Sequence, residues 1–514
     1  MIVRLLNHVA TLVLAVGTLS VAAFAQTFPT DDPVIKQIWT EGMENSQLYP
    51  LAQALLDSIG PRLPGSPGND AAVQWLLSQY ERWGISARRE QFGTWVGWRR
   101  GVTHVDLIAP RVRTLEGTML AWSPGTEGPV EGGAVIFPDL PDEAAFSSWL
   151  PNVRGKFVLF SFPEPTCRPD EVWERLATQE SFEHLKNTRD AGRGAWNQRF
   201  RKVGARRPTD VMSAIEEAGA FGILTSLWSE GWGVNKVFYT ETRRVPALDL
   251  SCEDYGLVFR LAENGQAPQI RLEAESEFLG EAPVFNVVAE MRGTEKPEEY
   301  VVLSAHVDSW DAASGATDNG TGTVMMLEAM RVLHLAYPSP KRTILVGHWG
   351  SEEVGLVGSS AFREDHPEVM KGLHALFNQD NGTWRIDYLK AQGLVAAGEY
   401  FGRWFSKIPL EIAQHIDLDI PGTPGRGSDH MSFTCAGAPG FRLQSHYPEY
   451  RQYTWHTNRD TFDKIVFDDL MNNATLAAMV AYLASEDPAQ MPRDQLVLTE
   501  GEWPGCFPPR RSMP

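Results

Sequence analysis

The run Ser304 to Asn319, SAHVDSWDAASGATDN, gathers His306, Asp308 and Asp318 around a glycine-containing loop. Imidazole and carboxylate together are the donors of a divalent-metal site, and the chemistry such a site offers first is metal-assisted hydrolysis. His306 closes EEYVVLSAH, a continuous apolar run of the kind a buried parallel strand shows. Asp308 lies two residues on, where its carboxylate can orient the imidazole, and Asp318 precedes GTGTVMMLEAMRVL, a loop entering a helix.

Comparable donors follow later strands. Glu352 and Glu353 come just after RTILVGHW, Asp380 ends LHALFNQD, and His456 sits in the late loop QYTWHTNRDTFDK. In an open parallel sheet ligands collect where loops leave the carboxyl ends of strands, and these residues all fall there. The donors suit zinc or a similar divalent ion. They are too many for one tetrahedral zinc and suit two zincs sharing a bridging carboxylate. Of the adjacent glutamates, one can bind metal while the other moves the proton between water and leaving amine.

Strands alternate with helical patterns from Phe285 onward, which predicts an α/β fold with a mostly parallel central sheet flanked by helices. VFDDLMNNATLAAMVAYLAS closes that unit as an amphipathic helix. Residues from Thr30 to about Gln91 read as helices, with Asn69 and Asp70 as caps of the second. Short strands then begin: THVDLIAP, GAVIFPD and GKFVLFSF. The expected organisation is a leader at 1–25, the first part of a catalytic domain at 26–105, a smaller β-rich insertion at 106–280, the main catalytic part at 281–490 and a peripheral tail at 491–514. Within the insertion, VRGKFVLF and TDVMSAIEEAGAFGILTS resemble a protease-associated domain. Residues 163–208 end in a basic run (Arg189, Arg193, Arg199, Arg201, Lys202, Arg206, Arg207) that reads as a solvated face, with active-site cover or association into a homodimer as the alternatives.

Taken in order, the HxD, the Asp before a helix, the EE pair, the later Asp and the final His resemble the zinc aminopeptidase and glutamate carboxypeptidase superfamily, near its exported aminopeptidase and plasma glutamate carboxypeptidase branches. The resemblance covers most of the mature chain. It implies that His306 and Asp380 hold one zinc, Glu353 and His456 the other, and Asp318 bridges them. Glu352 is then the general base for attack by a zinc-bridging hydroxide, and the Asp308 carboxylate hydrogen-bonds His306. The implied activity is an exopeptidase acting on short peptides or dipeptides, from either end. A glutaminyl cyclase-like acyltransferase with one zinc and a receptor-like binding protein share the fold and are the alternatives.

Other polar residues have plainer readings. His348 packs or hydrogen-bonds in its strand, while His334, His366 and His374 sit in helix or turn contexts without a partner. Asp429 and His430, in GSDHMSF, line the site below ligand rank, and Asp460 and Asp463 cap the following helix. Gly315, Gly320 and Gly322 let the backbone pass close to the metals, since no P-loop Lys-Ser/Thr follows. Folate-hydrolysing glutamate carboxypeptidases carry a tyrosine just before the last zinc histidine, where this chain has Trp455; Tyr453 or Tyr447 is the substitute, so Tyr453 and Trp455 are candidate substrate contacts.

The net charge of −19, from 65 acidic and 46 basic residues, argues against nucleic acid and anionic membranes as partners. Arg4, an apolar stretch from Val9 to Ala22 and Ala23-Phe24-Ala25 read as a cleavable export signal with cleavage before Gln26, giving a periplasmic or secreted bacterial protein without a stable membrane anchor. Cys167, Cys252, Cys435 and Cys506 allow two disulfides in any of three pairings. The sequons at Asn319, Asn381 and Asn473 read as coincidence, the first two lying beside expected ligands.

Overall fold

The computed structural model describes residues 30–380, 383–496 and 505–512. The expected leader and the sequon at Asn381 lie outside them. No helix of the described residues is long and apolar enough to cross a membrane.

Four parallel strands form the middle of the sheet, in the order Gly440–Ser445, Leu373–Gln379, Lys296–His306 and Arg342–Trp349. Their apolar runs are what burial on both faces demands. Alternation then sorts them by face: Val301, Leu303, Ala305 and Val307 join one core, whereas Tyr300 and Val302 join another with Trp349, Phe362 and Phe433. Helices Thr321–Ala336 and Phe467–Glu486 cover the first face and pack on each other.

Two long antiparallel strands, Ser86–Ala109 and Gln269–Met291, leave this sheet side by side. One end of the second pairs with Arg342–Trp349 and the other with Val130–Ile136, so a single ladder runs from the parallel strands into a third core around Phe137, Phe157, Leu159 and Ile223. Residues 105 and 280 both fall inside these strands.

The amino-terminal helices stop earlier than composition suggested. Pro67–Trp83 is capped by the Ser66 hydroxyl, which accepts the Asn69 N–H, and ends at Gly84 with φ +70°. Proline at the first helical position moves the start ahead of Asn69 and Asp70, and a left-handed glycine closes the helix before the strand at Ser86. Helices Asp170–Leu176 and Gln179–Lys202 occupy most of residues 163–208. The solvated-face reading fails for Arg189, which is buried and paired with Glu164 and Asp170. Disulfides join Cys167 to Cys252 and Cys435 to Cys506.

Candidate metal centre

His306 is the last residue of its strand, Asp380 directly follows Leu373–Gln379, and Glu352 and Glu353 follow Arg342–Trp349. Parallel register therefore brings them to one edge. Helix Thr321–Ala336 points its amino end at the same place, and its Thr323 hydroxyl donates to the His306 carbonyl at 2.7 Å. His456 enters from the loop after the turn Tyr450–Thr454.

The residues form two triads, His306–Asp318–Asp380 and Asp318–Glu353–His456, in each of which one donor atom per residue lies within 4.8 Å of the others. Asp318 belongs to both. Its Oδ1 lies 3.4 Å from His306 Nε2 and its Oδ2 3.3 Å from His456 Nε2. Asp380 Oδ1 approaches His306 Nε2 at 3.2 Å and Glu353 Oε2 approaches His456 Nε2 at 3.0 Å.

The charge balance fits divalent cations. Among the described residues, Asp318 Oδ2 and Glu353 Oε1 are buried without a hydrogen-bond donor, a costly arrangement unless positive charge joins them. The buried Arg62 guanidinium beside the cluster donates instead to carbonyls: Val307 at 2.7 Å, Gly60 at 3.0 Å, Ser314 at 2.6 Å and Gly315 at 2.9 Å. It shapes the loop between His306 and Asp318. Gly315 in that loop has φ +59°, and a side chain there would run into Ser309.

Asp308 holds the site differently from the expectation. Its backbone carbonyl faces His306 Nδ1 at 3.0 Å, whereas its carboxylate is 3.7 Å away. The carboxylate instead accepts the N–H groups of Glu352 at 3.1 Å and Glu353 at 3.2 Å. Either way Nδ1 is occupied and Nε2 is left to face the carboxylates.

Asp460 corrects another expectation. Rather than capping the next helix, it accepts the Thr317 N–H and hydroxyl, each at 2.8 Å, and the Asp318 N–H at 3.0 Å. Asp463 bonds Thr461 and Lys464. His366 and His374 also have partners: His366 lies between Glu90 at 2.9 Å and Glu368 at 3.0 Å, and His374 Nδ1 accepts the Met491 N–H. His348 meets the Tyr80 hydroxyl at 2.8 Å, as its strand setting suggested.

Electrostatics separate the two glutamates. Burial holds the Glu352 carboxyl well above the ordinary range, with Asp380, Asp429 and Glu353 adding to the shift against the opposing pull of His306. Glu353 is raised to about 7, by burial and by Asp318. Burial lowers His306, but Asp380 and Glu352 outweigh it and its pKa stands well above the usual value. Asp429 is buried, raised to about 7 by burial, and neither oxygen has a partner among the described residues. His430 is equally enclosed, and burial depresses it to about 3.

The Tyr453 hydroxyl is raised by burial and by Glu171 and Glu230, not by the triad carboxylates. Tyr450 is buried, and its hydroxyl is pushed far up by burial and by Asp318, Asp380, Glu353 and Asp460. Trp455 stacks on His456 with ring centres 3.9 Å apart, and Phe238 and Trp310 complete an aromatic wall at 5.0 and 5.7 Å.

Residues 286–481 match Peptidase family M28. Carboxypeptidase Q of Mus musculus is 26% identical over 455 residues, covering 88% of each chain. Leucine aminopeptidase 1 of Blastomyces gilchristii is 25% identical over 376 residues, 67% of this chain and 93% of its own. The crystal structure of a peptidase M28 precursor from Shewanella amazonensis shares the fold with a TM-score of 0.64 at 24% identity, over 89% of this chain and 97% of that one. A zinc aminopeptidase from Bacillus subtilis superposes with a TM-score of 0.54 at 20% identity, over 85% and 93%.

Proposed function

We propose that this metallo-exopeptidase, whose residues 286–481 match peptidase family M28, hydrolyses short peptides at a two-zinc site. The observation that carries the proposal is the sharing of Asp318 between two complete triads, with Glu352 beside them. His306 and Asp380 would hold one ion, Glu353 and His456 the other, and Asp318 both. Bound there, the ions supply positive charge that polarises a carbonyl and acidifies water.

The protein's own groups do the rest. Glu352, its backbone anchored on Asp308 and its carboxyl raised in a buried setting, takes a proton from the attacking water and passes it to the leaving amine. The Tyr450 hydroxyl, kept protonated by its surroundings, can donate a hydrogen bond to the carbonyl oxygen as negative charge develops. Asp429 and His430 are fully buried and line the site. The second triad weighs against a one-zinc acyltransferase.

We also propose that residues 106–280 form a protease-associated-like insertion and that residues 1–25 direct export. Mass spectrometry of the mature protein, beginning at Gln26, tests the latter. The activity is tested by metal analysis with a cleavage profile on short peptides; two zinc ions per chain and release of terminal residues are expected. Protein that retains no metal and cleaves no peptide overturns the reading.

A further inference from the structure

Two cations close on one ring beside the metal centre. Lys236 Nζ lies 4.6 Å from the centre of the Trp455 ring and the Arg451 guanidinium carbon 4.0 Å from it, while that ring stacks on His456. Lys236 is only 8% exposed, whereas Arg451 reaches solvent. The ammonium donates to the Arg451 carbonyl at 3.2 Å. Among the described residues, neither cation forms an ion pair. Asp249 is occupied elsewhere, accepting the N–H groups of Lys236 and Leu227 and the Thr225 hydroxyl.

A buried ammonium beside a second cation is repelled by it, and attraction to an aromatic face compensates only partly. An anion between them would relieve that repulsion.

The position is also fixed relative to the metals. Val237 N–H donates to the His456 carbonyl at 2.8 Å, Asn235 N–H to Asn458 Oδ1 at 2.9 Å, and Asn458 N–H to the Asn235 carbonyl at 3.0 Å. The Lys236 backbone thus bridges to Thr457 in the loop that carries His456, one ring away from a candidate ligand. In a peptide whose last amide carbonyl sits at the triads, the α-carboxylate is attached one carbon beyond the leaving nitrogen. Trp455, stacked on His456 at 3.9 Å, is the surface that joins the two cations to the triads.

We propose that Lys236 and Arg451 form a recognition site for the free α-carboxylate of the substrate, so that the enzyme removes carboxyl-terminal residues or splits dipeptides. This rests on the peptidase reading above. It assigns the insertion a direct part in substrate choice through Lys236.

The test compares Ala-Phe with Ala-Phe-amide on the zinc-loaded full-length protein and on the variants Lys236→Met and Arg451→Met. Losing a charge-assisted contact should lower kcat/KM on Ala-Phe at least about tenfold, with a much smaller change on the amide. Wild-type protein that treats the two peptides alike, or variants that weaken both equally, overturn the proposal. Arg451, being exposed, keeps the test open if Lys236→Met fails to fold. Calorimetric binding of L-phenylalanine against L-phenylalaninamide separates the two readings without turnover. Carboxylate-dependent binding lost in Arg451→Met, in a protein that cleaves neither peptide, would uphold the carboxylate site and sink the peptidase reading. Equal binding of acid and amide by wild-type protein would sink the site.

Discussion

Asp460 accepts the backbone N–H of Asp318 at 3.0 Å, so the residue common to both triads is held by a carboxylate 142 positions further along the chain. Replacing Asp460 with Ala frees the Thr317–Asp318 backbone. Metal affinity should fall by about 10- to 100-fold, the usual cost of losing a group that orients a ligand. Zinc retention during dialysis against a graded chelator measures it, and unchanged retention would remove Asp460 from the metal site's support.

Glu352 and Glu353 should part company on mutation. Glu352→Gln is expected to keep both ions and lose roughly 10²- to 10⁴-fold in kcat, the range for a removed general base. Glu353→Gln should lose metal first. Metal content measured beside kcat distinguishes them, and the opposite pattern would exchange the two roles.

For Tyr450→Phe, the expected loss is about 10- to 100-fold in kcat with KM little altered, because a hydroxyl that serves the developing charge contributes little to the ground state. A change in KM alone would recast Tyr450 as a substrate-packing residue. Tyr453→Phe should leave both constants near wild type, since the charges acting on that hydroxyl are Glu171 and Glu230 rather than the triad carboxylates.

His366, between Glu90 and Glu368, gives a pH signature remote from the metals. The hydrogen bond to Glu90 raises its pKa in the folded protein, against the opposing effect of burial. With the unfolded value near 6.5, its stabilisation is complete below about that pH and is lost as pH rises through the folded value. Melting temperatures of wild type and His366→Gln should therefore differ more at about pH 6 than at about pH 8.5. A gap that does not narrow toward alkaline pH would contradict this.

The donors His306, Glu353 and Asp380 are legible in sequence because each follows an apolar run that can only be a buried strand, and parallel register brings such ends together. The supporting residues are less so. Asp308 has the right place, but whether its carbonyl or its carboxylate meets His306 depends on how the loop turns. Arg62 grips carbonyls about 250 residues away, a partnership no local pattern announces. Tyr450, rather than Tyr453 or Tyr447, is the tyrosine on which Asp318, Asp380 and Glu353 all act, and nothing in the string YRQY distinguishes it before the turn Tyr450–Thr454 forms. For Arg189 the basic run misled, because Glu164 and Asp170 fold back to neutralise it.

The lateness of His456 and Asp460 in the chain has a consequence for biosynthesis. A nascent polypeptide that has emerged only as far as Gly440–Ser445 contains His306, Asp318, Glu353 and Asp380, yet lacks the last ligand and the brace for the shared one. On the proposed ligand assignment, such a fragment could complete the His306–Asp318–Asp380 triad but not the one that needs His456.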